Sequence, residues 1–288
     1  MPFKEPVKKT LRAQWLGIQL RDLRVERGMT LQEAASFLRY DYSSLGRFER
    51  AELPFKHDDV VALLDLYGVF DAQDRARLRQ LCTETWRSDQ WDVDFSDAVY
   101  DSTFVDYLWL EEQATTIRLY DTAMLHVLLQ TRAYAEASVR LVEGPKVRPE
   151  RVARWVDRRM ERQRVVEAGR TRLSVVVDEA VLRRPFGDAR VMREQLTQLT
   201  RLARERDVEI RVLPPDATLR PQVFGAFTLF EMPDPYPEVA YLENLAGRFY
   251  LEAPRSQRFA YAYDQLCEAA LDPAESAKLI AATAHDWS

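Results

Sequence analysis

Long apolar runs are missing from this sequence. None approaches the ~20 residues that a membrane span needs, and the amino-terminal segment lacks a signal-peptide core. Those two gaps predict a cytoplasmic chain. Cysteine is nearly missing too: Cys82 and Cys267 lie far apart on expected helices and read as reduced core residues, not as a disulfide. The three histidines, His57, His126 and His285, show no ligand spacing, so no metal site is expected. There is no Gly-rich phosphate loop, no G-x-S-x-G elbow and no H-E-x-x-H, and hence no expected cofactor. The acidic pair Asp178-Glu179 invites an acid/base reading, but it closes an expected strand and reads as a turn cap. An enzyme is not expected.

What is present is ordinary globular composition with an uneven charge. The 288 residues are 47% hydrophobic and 30% charged, enough for two domains or three small ones. The net charge of −5 hides a contrast: residues 1–56 carry 11 Lys/Arg against 7 Asp/Glu, a net of +4, leaving −9 on the other 232. A small basic head on an acidic body keeps positive charge where phosphates would be met. The opening segment, with Lys4, Lys8, Lys9 and Arg12, reads either as an arm touching DNA or as a solvated tail.

The stretch Thr30–Arg50, TLQEAASFLRYDYSSLGRFER, reads as two short helices and a tight corner. Leu31, Ala34, Ala35 and Leu38 share a face of the first, and the two alanines allow a close helix crossing. Asp41 sits where an N-cap is needed. Behind it Leu45 and Phe48 point inward, while Tyr42, Ser43, Gly46, Arg47 and Arg50 point outward. A short helix with a face of hydroxyls and guanidiniums suits a DNA major groove. Upstream, Leu16, Leu20 and Leu23 mark an amphipathic first helix that Gly28 ends.

The run LGIQLRDLRVERGMTLQEAASFLRYDYSSLGRFERAE resembles the lambda-repressor-like, XRE-type helix-turn-helix family over its five-helix length, about residues 15–80. The resemblance implies that Arg24, late in the first helix, pairs with Glu49 behind the recognition helix. It also implies that Tyr42, Ser43 and Arg47 face base edges, Arg47 being suited to grip guanine in a bidentate way. Thr30, Ser44 and Arg50 are then placed to hold phosphates. The family pattern continues into Gly after that Glu, whereas this chain has Arg50-Ala51, so the corner is expected to be built differently. Two further helices, Asp58–Tyr67 and Ala72–Trp86, complete the head, with Leu78, Leu81 and Trp86 inward and His57 at the entry of the fourth.

The acidic, aromatic stretch 87–103 reads as a linker, which places a head at 1–86 and a body at 104–288. The body resembles the domain of unknown function that follows such heads in actinobacterial, antitoxin-like regulators. The blocks carrying this are LEEQATTIRLYDTAMLHVLLQTRAYAEA, MERQ (160–163), VVVDEAVLRRPFG, REQLTQL, VLP, GAFTLFEMPDP and VAYLEN. Where that family shows Pro-Gly before Leu-Leu-Gln-Thr, this chain has His126-Val127. Residues 104–142 look helical throughout. The Arg-dense helix 148–164 reads as a solvated face laced with ion pairs. After Gly169, five short β-branched or aromatic runs read as strands, the last three as an antiparallel meander. Asp188–Arg206 lies between the first two as a helix, and Arg255–Leu271 and Pro273–Ala284 close the chain. The expected class is therefore mainly α: a five-helix head and an α+β body with a small mixed or antiparallel sheet.

Function follows as an expectation: a transcriptional regulator reading a palindromic double-stranded operator as a homodimer. The second resemblance implies a small protein partner for the body. Two alternatives stay open. The body aromatics Phe224, Phe227, Phe230, Tyr236, Tyr241, Phe249 and Tyr250 would line an apolar effector pocket or simply form core. An unrecognised enzyme or a pure interaction scaffold remains the reading from another class.

Overall fold

A hydroxyl opens the first helix. In the computed structural model, which describes residues 10–86, 102–205, 208–217 and 225–287, Thr10 Oγ1 accepts from Ala13 N at 3.2 Å and starts α1, Leu11–Glu26. Then come α2 (Leu31–Phe37), α3 (Tyr42–Glu49), α4 (His57–Leu66) and α5 (Ala72–Trp86). Leu16, Leu20, Leu45, Leu63, Leu64, Leu78 and Leu81 are buried together as the head's core. Trp86, expected inward, is instead 47% exposed and donates its Nε1–H to the Phe55 carbonyl at 2.8 Å. Helix α5 turns Thr85 inward in its place. Cys82 lies in the core, where burial pushes its thiol up to about 11; Cys267 is half-buried and also free.

Arg12 departs furthest from expectation. It belongs to the first turn of α1 and its side chain is 1% exposed. Its Nε donates to Asp106 Oδ1 at 2.9 Å and its Nη1 to the Glu84 carbonyl at 2.6 Å, while Leu11 N donates to Asp106 Oδ2 at 2.6 Å. Asp106 sits in α6, Ser102–Gln113. Trp109 of the same helix packs edge-on against Trp15, with centroids 5.6 Å apart. The first unit accordingly runs to Trp109 and the second begins at Leu110, so the division falls inside α6. Lys4, Lys8 and Lys9 and most of the expected linker 87–103 lie outside the described residues.

Among the described residues of the second unit, six strands form one mixed sheet in the order β3-β2-β1-β4-β5-β6. These are β1 (Thr116–Asp121), β2 (Arg172–Asp178), β3 (Val208–Leu213), β4 (Phe227–Glu231), β5 (Val239–Asn244) and β6 (Gly247–Leu251). Strands β1, β2 and β3 are parallel, while β4 to β6 are the expected antiparallel meander. The class is the expected one, a helical head followed by helices and a mixed sheet. The uniform helix over 104–142 is corrected: it breaks into α6, then β1, a 3-10 turn at Val127–Leu129 and α7 (Arg132–Glu143). Strand β1 alternates only at its start, with Ile117 and Leu119 buried between half-buried Thr116 and Arg118, and it ends in buried Tyr120 and Asp121.

Helices α8 (Pro149–Arg162) and α9 (Arg164–Glu167) return the chain to β2; α10 (Glu179–Arg183) and α11 (Ala189–Glu205) lead on to β3. Helices α12 (Gln257–Ala269) and α13 (Pro273–Asp286) close the chain. Tyr120, Val176, Phe227, Leu229, Tyr263 and Leu266 form a core between the sheet and α12. On the outer edge of β3, Val212 N donates to Ser276 Oγ at 2.9 Å and its carbonyl accepts from Leu271 N at 2.9 Å. Of the arginines of α8, Arg158 pairs within the helix with Glu161, while Arg151 reaches Glu143 and the largely buried Arg162 reaches Glu111; Asp157 of α8 receives Arg132 of α7.

The family-like blocks of the body meet at residues 125–131, a segment outside any ladder. Its backbone groups are held by glutamine side chains from three directions. Gln130 Nε2 donates to Leu125 O at 2.7 Å, and Gln163 Nε2 to Val127 O at 2.9 Å and Gln130 O at 2.6 Å. Gln195 Nε2 donates to Leu129 O at 2.8 Å, and its Oε1 accepts from Thr131 N at 2.6 Å. Buried backbone polar groups require partners, and here side chains supply what a sheet would. His126 caps the 3-10 turn, its Nδ1 accepting from Leu128 N at 3.3 Å.

Candidate nucleic-acid interface

Two helix ends shape the helix-turn-helix. At the corner after α2, Arg39 takes φ +60°; Tyr40 N donates to Ala35 O at 2.9 Å and Arg39 N to Ser36 O at 3.1 Å. Those two bonds define a Schellman stop, whose left-handed residue is most often glycine. Asp41 then caps α3, Oδ1 accepting from Ser44 N at 2.8 Å. The expected change of corner after α3 is not found. Ala51 adopts φ +54°, and the same bonds recur, Ala51 N to Phe48 O at 2.9 Å and Glu52 N to Arg47 O at 2.8 Å. Alanine is held in the geometry the missing glycine would take.

Leu45 (0% exposed) and Phe48 (8%) anchor α3 from behind, Phe48 lying between the rings of Tyr40 and Phe55. The pairing implied for Arg24 and Glu49 is present. Nε and Nη2 grip the two carboxylate oxygens at 2.7 and 2.9 Å, and Nη1 donates to Met29 O at 2.8 Å. Both side chains are buried, and the bond to Glu49 pushes the Arg24 guanidinium further up. Gly17, which the sequence reading passed over, lets α1 meet this corner. A Cβ there would stand 2.4 Å from the Glu49 carbonyl oxygen. A glycine inside an otherwise good helix former was the available signal.

On the outward side, Tyr42 is 64% exposed, Ser43 is exposed and the Arg47 side chain is half-exposed. Gly46, expected outward, is buried: a Cβ would lie 3.0 Å from Arg50 Nη1 and 3.3 Å from Leu31 Cδ2. The three expected phosphate holders share a feature no spacing rule reveals, in that each donates to a carboxylate within three residues of it. Thr30 Oγ1 donates to Glu33 Oε2 at 2.7 Å in a capping box. Ser44 Oγ donates to Asp41 Oδ2 at 2.7 Å, and Arg50 Nε to Glu52 Oε1 at 2.9 Å. The Thr30 N–H, and after it the Thr30 hydroxyl, hold the Glu33 carboxyl below the usual carboxylate range, and the Ser44 hydroxyl and then its N–H do the same for Asp41.

Elsewhere the singled-out groups have structural employment. Asp178 caps α10 through Ala180 N at 3.2 Å, and Glu179 pairs with Arg183 at 3.0 Å. Phe227, Phe230 and Tyr241 are core, Phe249 is exposed, and Phe224 lies outside the described residues. His57 is the first residue of α4 and borders an open hollow of about 400 Å³ with Arg79 and Glu84.

A buried, ion-paired brace behind a short helix whose other side is exposed, polar and basic defines a helix-turn-helix DNA-binding regulator. Residues 15–78 match the model of a helix-turn-helix domain. Residues 104–282 match the family described as Domain of unknown function (DUF5753), and the chain belongs to that family. A comparison with curated protein sequences finds no match. No described helix is long and apolar enough to cross a membrane.

Proposed function

We propose that the protein is a cytoplasmic, sequence-specific transcriptional regulator of the XRE type, which reads a palindromic operator as a homodimer. The observation carrying this is the two-sidedness of α3: Leu45, Phe48 and Glu49 locked inward, Tyr42, Ser43 and Arg47 open to a groove. Arg47 offers its fork to a guanine, and Tyr42 and Ser43 contact neighbouring base edges. Thr30 and Ser44 approach phosphates after exchanging carboxylate partners. The body docks a small protein in the antitoxin-like manner and catalyses nothing. In its favour are Leu141 and Val142, side by side at the end of α7 and each about two-thirds exposed, and the commitment of Gln130, Gln163 and Gln195 to the backbone.

Selection by the full chain from 40-base-pair duplexes with random centres tests this reading. A two-fold symmetric motif is expected, with affinity falling steeply as salt rises through counterion release. Arg47→Ala should relax one position of each half-site, at about 1–3 kcal/mol. Equal binding of all duplexes by wild type and variant alike would remove the regulator reading.

A further inference from the structure

Glu52 is one carboxylate facing two guanidiniums. Arg50 grips it twice, Nε to Oε1 at 2.9 Å and Nη2 to Oε2 at 3.4 Å. Arg47 Nε stands 3.8 Å from Oε2, within ion-pair reach but beyond a hydrogen bond. The sharing is unequal because both sides of the grip are built. Glu52 is placed by the Schellman stop, its N–H bonded to Arg47 O at 2.8 Å immediately after left-handed Ala51. Arg50 is seated by Gly46, whose missing Cβ would be 3.0 Å from Nη1 and 3.9 Å from Cζ. The guanidinium therefore lies over the helix at position 46. The pair is itself exposed, Arg50 by 56% and Glu52 by 35%, so it adds little stability; what the seat over Gly46 sets is where the guanidinium lies.

We propose that Glu52 is a positioning residue for DNA recognition: it draws Arg50 back over Gly46 and leaves Arg47 as the guanidinium that reads bases. The inference rests on the reading of α3 as the recognition helix. Two cations and one anion leave a net single charge at this end of α3, so only one strong guanine-binding fork meets the groove. Without the carboxylate, Arg50 swings free, adds a phosphate contact and competes with Arg47 for guanines. Affinity then rises at the expense of discrimination.

The test uses the full chain, one fixed 30-base-pair duplex for general affinity and the random-centre pool for preference. Glu52→Gln should bind the fixed duplex about three- to tenfold more tightly near 0.15 M salt, and the slope of log K against log salt should steepen by about one. Its selected motif should lose information at the position that Arg47→Ala also relaxes. Glu52→Gln combined with Arg50→Ala should restore the wild-type motif, a rescue that simple loss of negative charge does not produce. Glu33→Gln, which keeps the capping box of α2, controls for that loss and should leave the motif unchanged. A wild type that selects a motif which Glu52→Gln leaves unaltered overturns this inference alone, as does a Glu33→Gln that matches Glu52→Gln. A wild type and a Glu52→Gln variant that both bind no duplex overturn it together with the DNA reading.

Discussion

Replacing Arg39 by glycine should stabilise this head, although it removes a whole side chain. Arg39 is exposed, and at φ +60° its Cβ crowds its own carbonyl, a left-handed cost of about 1–2 kcal/mol for an L-residue. Glycine removes that cost but frees the unfolded chain, which returns about 0.4–1 kcal/mol. The net expectation is about 0.5–1 kcal/mol in favour of Arg39→Gly, given that the bonds from Arg39 N and Tyr40 N are already made. Ala51, at φ +54° after α3, carries the same strain, but its methyl is buried at 4% exposure and losing it costs about 0.8 kcal/mol, so Ala51→Gly should be close to neutral. Because the chain has two units, a single melting temperature would blur the effect. Native-state hydrogen exchange reads it locally: the amides of Leu38 and Tyr40, bonded to Ala34 O and Ala35 O, should exchange about two- to fivefold more slowly in Arg39→Gly. Unchanged or faster exchange would mean that the corner after α2 is not left-handed.

Two further tests bear on the brace and on the body. Arg24→Met or Glu49→Leu alone should cost about 3–5 kcal/mol, since each strands a buried charge, whereas the double variant should recover most of the loss; strictly additive urea midpoints would contradict the pairing. In the body, burial pushes Asp121 up to about 7, with the His126 N–H on its carboxylate opposing. Burial, then Arg162 and Arg159, push His126 down to about 3. A raised folded pKa makes Asp121 lose stability as pH rises from its unfolded value near ~4 to ~7. The lowered His126 gains stability as pH rises from ~3 to ~6.5, so the two slopes cancel between ~4 and ~6.5. Asp121→Asn should expose the histidine slope, about 1.4 kcal/mol per pH unit in that window, and be more stable than wild type at pH 8. A flat profile in the variant would count against both assignments.

Local chemistry made much of the head legible. Thr30 and Asp41 announce helix starts, Ala34 and Ala35 a close crossing, and the spacing of Leu45 and Phe48 the buried side of α3, while Glu49's place there came from the family resemblance. The meander could be read because its strands are short, β-branched or aromatic, and bounded by turn residues. Strand β1 was hidden because its alternation is short, Thr116 to Leu119, and gives way to buried Tyr120 and Asp121, too brief a signal beside the helical pattern on either side.

What the sequence determined alone was whatever a residue arranges with neighbours within a turn or two: caps, amphipathic faces, the exposed side of α3 and the five later strands. Only the tertiary structure decided what rests on partners far along the chain. Arg12 is core because Asp106, 94 positions away, receives it, and Gly17 matters because the Glu49 carbonyl lies against it. Gln163 and Gln195 have work because a ladderless segment passes between them. Backbone geometry added the last part. A left-handed alanine sets Glu52 beside Arg50, and no rule of spacing requires an L-residue to accept that strain; the packing of α1 and α3 around it does.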